Sequence, residues 1–338
     1  MLFKHKNLGN LNNAHPPMGT IGHPMPKHKE RRFMFHSIED VEARFAAEGY
    51  ITDRTLATTI YLSWALGKPI FLEGEPGVGK TEVAKVMAKI LETELIRLQC
   101  YEGIDANTAL YEWNYPRQML ELRLDEARGI SKEEIGRNIF GQEFLLKRPL
   151  LSAIQSQEKN RPVLLIDEVD RSDEEFEAFL LEVLSDFQIT IPEIGTIRAK
   201  QIPFVVLTSN RTRELHDALK RRCLYLWIDY PTFEKEMDIV RSRVKGIQDD
   251  LTRQVCGFMQ LMRNRDFYKR PGVAETIDWA LALMAMKIND LDAQTVDATL
   301  GCVLKYKEDI EKIHEDGLSQ LIEKAKLLKE RSTTGTSR

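Results

Sequence analysis

Apolar residues along this chain follow two rhythms. Short runs at Ile70 to Leu72, Leu95 to Leu98, Val163 to Ile166, Phe204 to Leu207 and Leu224 to Ile228 are separated by helix-like sequence. Such runs predict a five-stranded parallel sheet covered on both faces by helices, an α/β architecture. The second rhythm is helical. Val83, Val86, Met87, Ile90 and Leu91 recur on one face after Thr81, Val41, Phe45 and Ala46 follow a cap-like Ser37, and residues 53–66 form a helix ahead of the first strand. After Tyr230-Pro231 the strand pattern stops. Thr276 to Ile288, carrying Ile277, Ala280, Leu281, Leu283, Met284 and Ile288, predicts a core helix, and Leu318, Leu321, Ile322, Ala325 and Leu328 form the apolar stripe of a last one. Residues 36–230 are thus expected to form an α/β domain, and residues 231–330 a small all-helical domain. Residues 1–35, rich in Asn, Gly, Pro, Lys and His without an apolar period, read as a disordered leader, and residues 331–338 as a disordered tail.

Composition narrows the function classes only slightly. A chain of 338 residues with 43% hydrophobic content can bury one large core or two modest ones. Its 48 basic and 52 acidic residues nearly cancel, so nucleic acid is not an expected partner of the surface as a whole. Cys100, Cys223, Cys256 and Cys302 form no C-x-x-C pair, which suggests neither a zinc site nor a disulfide framework. The histidines at 5, 15, 23, 28 and 36 lack regular spacing and read as part of a solvated tail. No apolar run approaches the roughly 20 residues that span a bilayer, and the N-terminus lacks an apolar signal core. The expected location is cytoplasmic, with no membrane partner.

Chemistry enters at Gly74-Glu75-Pro76-Gly77-Val78-Gly79-Lys80-Thr81, which satisfies the G-x-x-x-x-G-K-[ST] phosphate-loop pattern between a strand and a helix. Its glycines let successive backbone N–H groups curl around phosphate oxygens in front of a helix N-terminus. Residues Glu75, Pro76, Gly77, Val78, Gly79, Lys80, Thr81 and Glu82 are therefore the candidate ATP-binding set. Lys80 is expected to reach the β- and γ-phosphates and Thr81 to ligand magnesium. The strand Val163 to Ile166 ends in Asp167-Glu168. Asp167 is expected to hold Mg2+ and Glu168 to polarise the attacking water, a role that a kinase, whose nucleophile is a substrate hydroxyl, would not need. Asn210, closing a third strand, offers an amide to the γ-phosphate and the water. Arg221 and Arg222 sit between a helix and the last strand, and an arginine supplied in trans can meet charge developing on the transferred phosphoryl group, with Arg222 preferred over Arg221.

In this order the phosphate loop, Asp167-Glu168, Asn210 and Arg221-Arg222 resemble the AAA+ ATPases, over residues 50 to 300 or thereabouts. Residues 184–198 resemble the β-hairpin that interrupts the second helix in the MoxR branch, with Ile189 and Ile191, then Thr196 and Arg198, as its arms. Residues 103–116 are similar to the CoxD-like subgroup. The resemblance implies a P-loop ATPase with a helical lid, a homo-oligomeric ring, hexameric in the family's manner, a protein client, and a von Willebrand A-type partner in maturing a metallocofactor enzyme. It also implies that Arg270, ahead of a lid helix, senses the nucleotide. Helix-like sequence from Pro116 to Glu158 lengthens the interval between Lys80 and Asp167, and the loop of residues 101–105 is a candidate to face a central channel. Two other functions fit the same motifs: a nucleic-acid motor, and a nucleotide-gated scaffold without useful turnover. Glu168 weighs against the second.

Overall fold

Five strands of the chain pair in parallel. They are β1 (Ile70–Gly74), β2 (Leu95–Gln99), β5 (Val163–Asp167), β8 (Phe204–Ser209) and β9 (Leu224–Ile228), in the spatial order β2-β5-β8-β1-β9. The computed structural model describes residues 34–131 and 139–328. The tail expected at 331–338 and nearly all of the leader expected at 1–35 lie outside the described residues. Every residue of the central strands β1, β5 and β8 is buried, while the edge strands β2 and β9 alternate between covered and exposed positions. That contrast follows from position: a central strand has helices on both faces and must be apolar on both.

Two helices ahead of β1 begin where the sequence supplies caps. Ser37 Oγ accepts from the Asp40 N–H at 3.2 Å to start Ile38–Ala47, and Asp53 accepts from the Leu56 N–H at 2.8 Å to start Arg54–Leu66. Helix Lys80–Ile90 follows the phosphate loop directly and buries Val83, Val86 and Met87 against the sheet.

The long interval before β5 differs from the expected helical run. Helix Tyr115–Ala127 is flanked by the short strands β3 (Tyr111–Trp113) and β4 (Leu145–Lys147), which pair antiparallel and return the chain to helix Pro149–Ile154. The remaining strands, β6 (Gln188–Ile191) and β7 (Gly195–Arg198), form the hairpin near residues 187–199. Ile189 and Ile191 face inward, Ile197 stands opposite Ile189, and Thr190 and Thr196 share a hydroxyl contact of 3.1 Å on the other face. This hairpin does not interrupt the second helix. It follows the end of helix Glu174–Asp186, where Phe187 adopts the left-handed conformation that closes the helix, and leads into β8. The insertion between β2 and β5 is instead the β3–β4 element.

The buried apolar residues fall into two clusters, one around the sheet and one among the helices after residue 230. The second is organised by Trp279, which is fully buried, stands 5.2 Å from Phe258 and donates to Thr299 Oγ1 at 2.9 Å. Its helix runs over Val273–Ala285, starting three residues earlier than the apolar pattern indicates and leaving Leu281 exposed. The last helix, Leu318–Leu327, buries Leu321, Ile322 and Ala325 as its stripe requires.

Candidate functional site

The C-terminal ends of β1, β5 and β8 lie side by side, so their loops open into one cleft of about 790 Å3. Its other wall comes from residues 49–51 ahead of the second helix and from the helical half, through Ile239, Arg243, Val273, Ala274 and Ile277. In open parallel sheets ligands settle outside the carboxyl ends of the strands, where the strand order reverses.

The phosphate loop is shaped by two left-handed glycines, Gly77 (φ 76°) and Gly79 (φ 95°), a region in which a side chain would be strained. Gly79 is also the N-cap of helix Lys80–Ile90, so the first N–H groups of that helix face the cleft. Lys80 is buried, and its ammonium donates to the carbonyls of Gly74 at 2.7 Å and Glu75 at 2.8 Å. Burial pushes the lysine down to about 8, although Asp170, Glu75, Asp167 and Glu168 all pull it upward.

Asp167 is the hub. Its Oδ1 accepts from the hydroxyls of Thr81 at 3.0 Å and Thr208 at 2.6 Å, and its Oδ2 accepts from Arg97 Nε at 3.0 Å and Nη2 at 2.5 Å. Thr208 also receives the Glu168 N–H at 2.9 Å, so one hydroxyl ties β8 to both carboxylate residues. Glu168 sits in the left-handed region (φ 54°), and its carboxylate pairs with Arg171 at 3.0 Å. A non-glycine residue held there carries strain of a kind that gathers at functional sites. Asp170, buried, accepts from the N–H groups of Asn210 and Thr212 and from the Thr212 hydroxyl, fixing the turn that carries Asn210.

Pro76 to Glu82, Asp167, Glu168 and Asn210 all line the cleft. Glu75 contributes its carbonyl to Lys80. Glu82 turns toward the helical half, where Arg243 Nη2 donates to it at 2.6 Å and Lys85 stands 3.2 Å away. Burial alone would raise its carboxyl, but these two cations hold it below the ordinary carboxylate range. Arg221 and Arg222 end helix Asp217–Arg222, are exposed, and do not line the cleft of their own chain. Arg270 departs from expectation. It precedes Pro271, outside the helix, is exposed, and is not part of the lining; the backbone of Val273 and Ala274 approaches the loop instead.

Sequence reading passed over Arg97, Thr208, Asp170, Tyr50 and Arg243. Thr208 and Asp170 stand within two residues of flagged positions and were within reach. Arg97 is a charge interrupting an otherwise apolar strand, and its pairing with β5 brings it to Asp167. Tyr50, whose hydroxyl lies 3.5 Å from the Gly79 carbonyl, and Arg243 carry no local motif.

Residues 70–227 match the model of the ATPase family associated with various cellular activities (AAA), from β1 into β9. Among relatives, the chain is 27% identical over 180 residues to the Lon protease of Cytophaga hutchinsonii, covering 51% of this chain and 19% of that protein. It is 26% identical over 220 residues to an uncharacterized protein of Staphylococcus aureus, covering 63% of this chain and 74% of that one. The chain therefore spans about a fifth of the Lon protease's length and about three quarters of the staphylococcal protein's. A solved structure of the Thermotoga maritima RuvB Holliday junction branch migration motor is similar at 18% identity and a TM-score of 0.41, covering 78% of this chain and 67% of that one. The phosphate loop, the Asp167-Glu168 strand end and the Asn210 turn all fall inside the matched segment, so it is with the AAA ATPases that residues 70–227 share their similarity.

Proposed function

We propose that this chain hydrolyses ATP to ADP and phosphate as a ring-forming chaperone of MoxR type that remodels a protein client. One observation supports this above others: Lys80, Thr81, Asp167, Glu168 and Asn210, far apart in sequence, line a single cleft. The loop N–H groups and the Lys80 ammonium take the β- and γ-phosphates, and the base enters between Tyr50 and Ile51 on one side and Ile239 and Ile277 on the other. The Thr81 hydroxyl and Asp167 carboxylate are hard oxygen donors that suit magnesium, so these two would hold the ion accompanying ATP. When bound it neutralises charge on the phosphate oxygens.

The chain's own residues supply the rest. Glu168 takes the proton of the attacking water once its Arg171 partner is exchanged for that water. Asn210, braced by Asp170, holds the water and the γ-phosphate in line. Arg222, or Arg221 beside it, reaches the site of a neighbouring subunit, which makes a homo-oligomeric ring, hexameric in the family's manner, part of the proposal. The finer reading is a CoxD-like role: maturation of a metallocofactor enzyme together with a von Willebrand A-type partner.

The test is turnover together with capture. The Glu168→Gln variant is expected to bind ATP, stop hydrolysing it and co-purify with the client and a von Willebrand A-type protein. Wild-type turnover no greater than that of Glu168→Gln, at protein concentrations where rings form, refutes the ATPase reading. Salt-sensitive stimulation by DNA replaces the client reading with the nucleic-acid motor.

A further inference from the structure

The N-terminus of helix Val273–Ala285 has an unusual cap. The first N–H groups of a helix have no partner within it and are ordinarily satisfied by a polar side chain or water. Here the cap residue is Gly272, which has no side chain, and the carbonyl of Gly77 in the phosphate loop accepts from the N–H groups of Val273 at 2.9 Å and Ala274 at 3.3 Å. Glu275 closes the turn by accepting from the Gly272 N–H at 2.9 Å. The two backbones touch: a Cβ added to Gly272 would lie 2.8 Å from both Gly77 Cα and Pro76 O. Two Pro-Gly pairs, Pro76-Gly77 and Pro271-Gly272, thus meet face to face.

We propose that this backbone seam, rather than a cationic side chain at the helix start, carries nucleotide occupancy from the phosphate loop to the helical half. The reason lies in the planar peptide. The Gly77 carbonyl and the Val78 N–H belong to one trans peptide unit and point in opposite directions. A phosphate gripping the Val78 N–H pulls on one end of the plane that the helix holds by the other, and hydrogen bonds in series polarise and strengthen one another. Behind the seam the helical half is stiff. Arg263 donates to the Pro271 carbonyl at 2.9 Å and to Thr276 Oγ1 at 3.1 Å while paired with Glu236, so a change at Gly272 moves the helices as a body. Arg270, exposed and outside the cleft, is not needed for this path. The seam itself is independent of the reading of function given above, whereas its response to ATP rests on that reading.

Amide hydrogen exchange of the full chain separates the two. Without nucleotide, the Val273 and Ala274 amides are expected to be protected, and a non-hydrolysable ATP analogue is expected to slow them further. Gly272→Ala keeps an ordinary backbone conformation but must part the seam. It is expected to speed exchange at these two amides about tenfold and, because coupling is reciprocal, to weaken binding of the analogue by a comparable factor. Exchange in β5 reports that the fold is intact, and Arg270→Ala is expected to leave analogue affinity within about twofold. The proposal is overturned if the analogue binds the wild type without altering exchange at Val273 and Ala274, or if a folded Gly272→Ala chain exchanges them at the wild-type rate. The wild-type measurement decides even if the variant does not fold. Failure of the analogue to bind at all refutes the proposed function, and the ligand-free exchange still tests the seam.

Discussion

The buried pair Arg263 and Glu236 gives the sharpest energetic prediction. Their side chains are 5% and 0% exposed, and Glu236 accepts from both terminal nitrogens of Arg263 at 2.6 Å, from Thr276 Oγ1 at 2.7 Å and from Gln260 Nε2 at 2.8 Å. Arg263 also lies over the Tyr230 ring at 5.0 Å. Arg263→Met leaves a carboxylate with two neutral donors and no cation in a dry site, and removing one partner of such a pair costs about 3–5 kcal/mol. At about 2–4 °C per kcal/mol, the melting temperature is expected to fall by roughly 6–20 °C. The intact pair itself is worth little beyond apolar packing, because desolvation offsets most of the attraction. Replacing both residues by Met is therefore expected to recover stability to within about 2 kcal/mol of wild type. Calorimetry and urea denaturation of wild type, both single variants and the double variant measure the cycle. A loss below about 1 kcal/mol for Arg263→Met, or a double variant no better than the single, would sink the reasoning.

Four other perturbations probe the site and its proposed completion in trans. Lys80, lowered by burial to about 8, must be charged to hold a triphosphate that in turn favours the charged form. ATP affinity is therefore expected to be level below about pH 8 and to weaken by up to about tenfold per unit above it, and titration calorimetry giving a flat profile from pH 7 to 9.5 contradicts this. The sign for stability is opposite: with the folded value depressed, the ligand-free chain gains stability at this group as pH climbs from about 8 toward the lysine's ordinary 10.5. Thr208→Val keeps shape but removes the hydroxyl shared by Asp167 and Glu168, costing about 1–3 kcal/mol in urea unfolding and lowering turnover; unchanged stability and turnover would mean the bridge does nothing. Glu168→Gln is expected to cut hydrolysis by about 10²–10⁴-fold with ATP binding retained. Arg222→Ala is expected to cut it by about 10³–10⁵-fold. Mixing the two inactive variants should restore activity, since an intact Arg222 then serves an intact Glu168; no recovery in mixed rings argues against action in trans.

Much of the fold was legible because its signals are local. Three strands buried on both faces have no solvent side and must read as unbroken apolar runs, and Ser37 and Asp53 announce their helices by chemistry that acts within three residues. The interval from Pro116 to Glu158 misled for the same reason in reverse. Strands β3 and β4 are three residues each and exist only because they find one another across a long separation, which no local period can encode. Leu281 belongs to an apolar run, yet the helix starts earlier than the run and turns that side chain outward.

The sequence by itself determined the five strands of the parallel sheet, the capped helices ahead of it, the phosphate loop, and the order of Lys80, Asp167, Glu168 and Asn210, because each is written in contiguous residues. Tertiary structure decided which side chains occupy Asp167, that Glu168 faces Arg171, that Glu82 pairs with Arg243 across the cleft, and that Gly272 rather than Arg270 meets the loop. These contacts join residues brought together by strand order and helix packing. Their energies depend on burial and on distances set by the whole fold, so a linear pattern can name the parts of this site but not which of them touch.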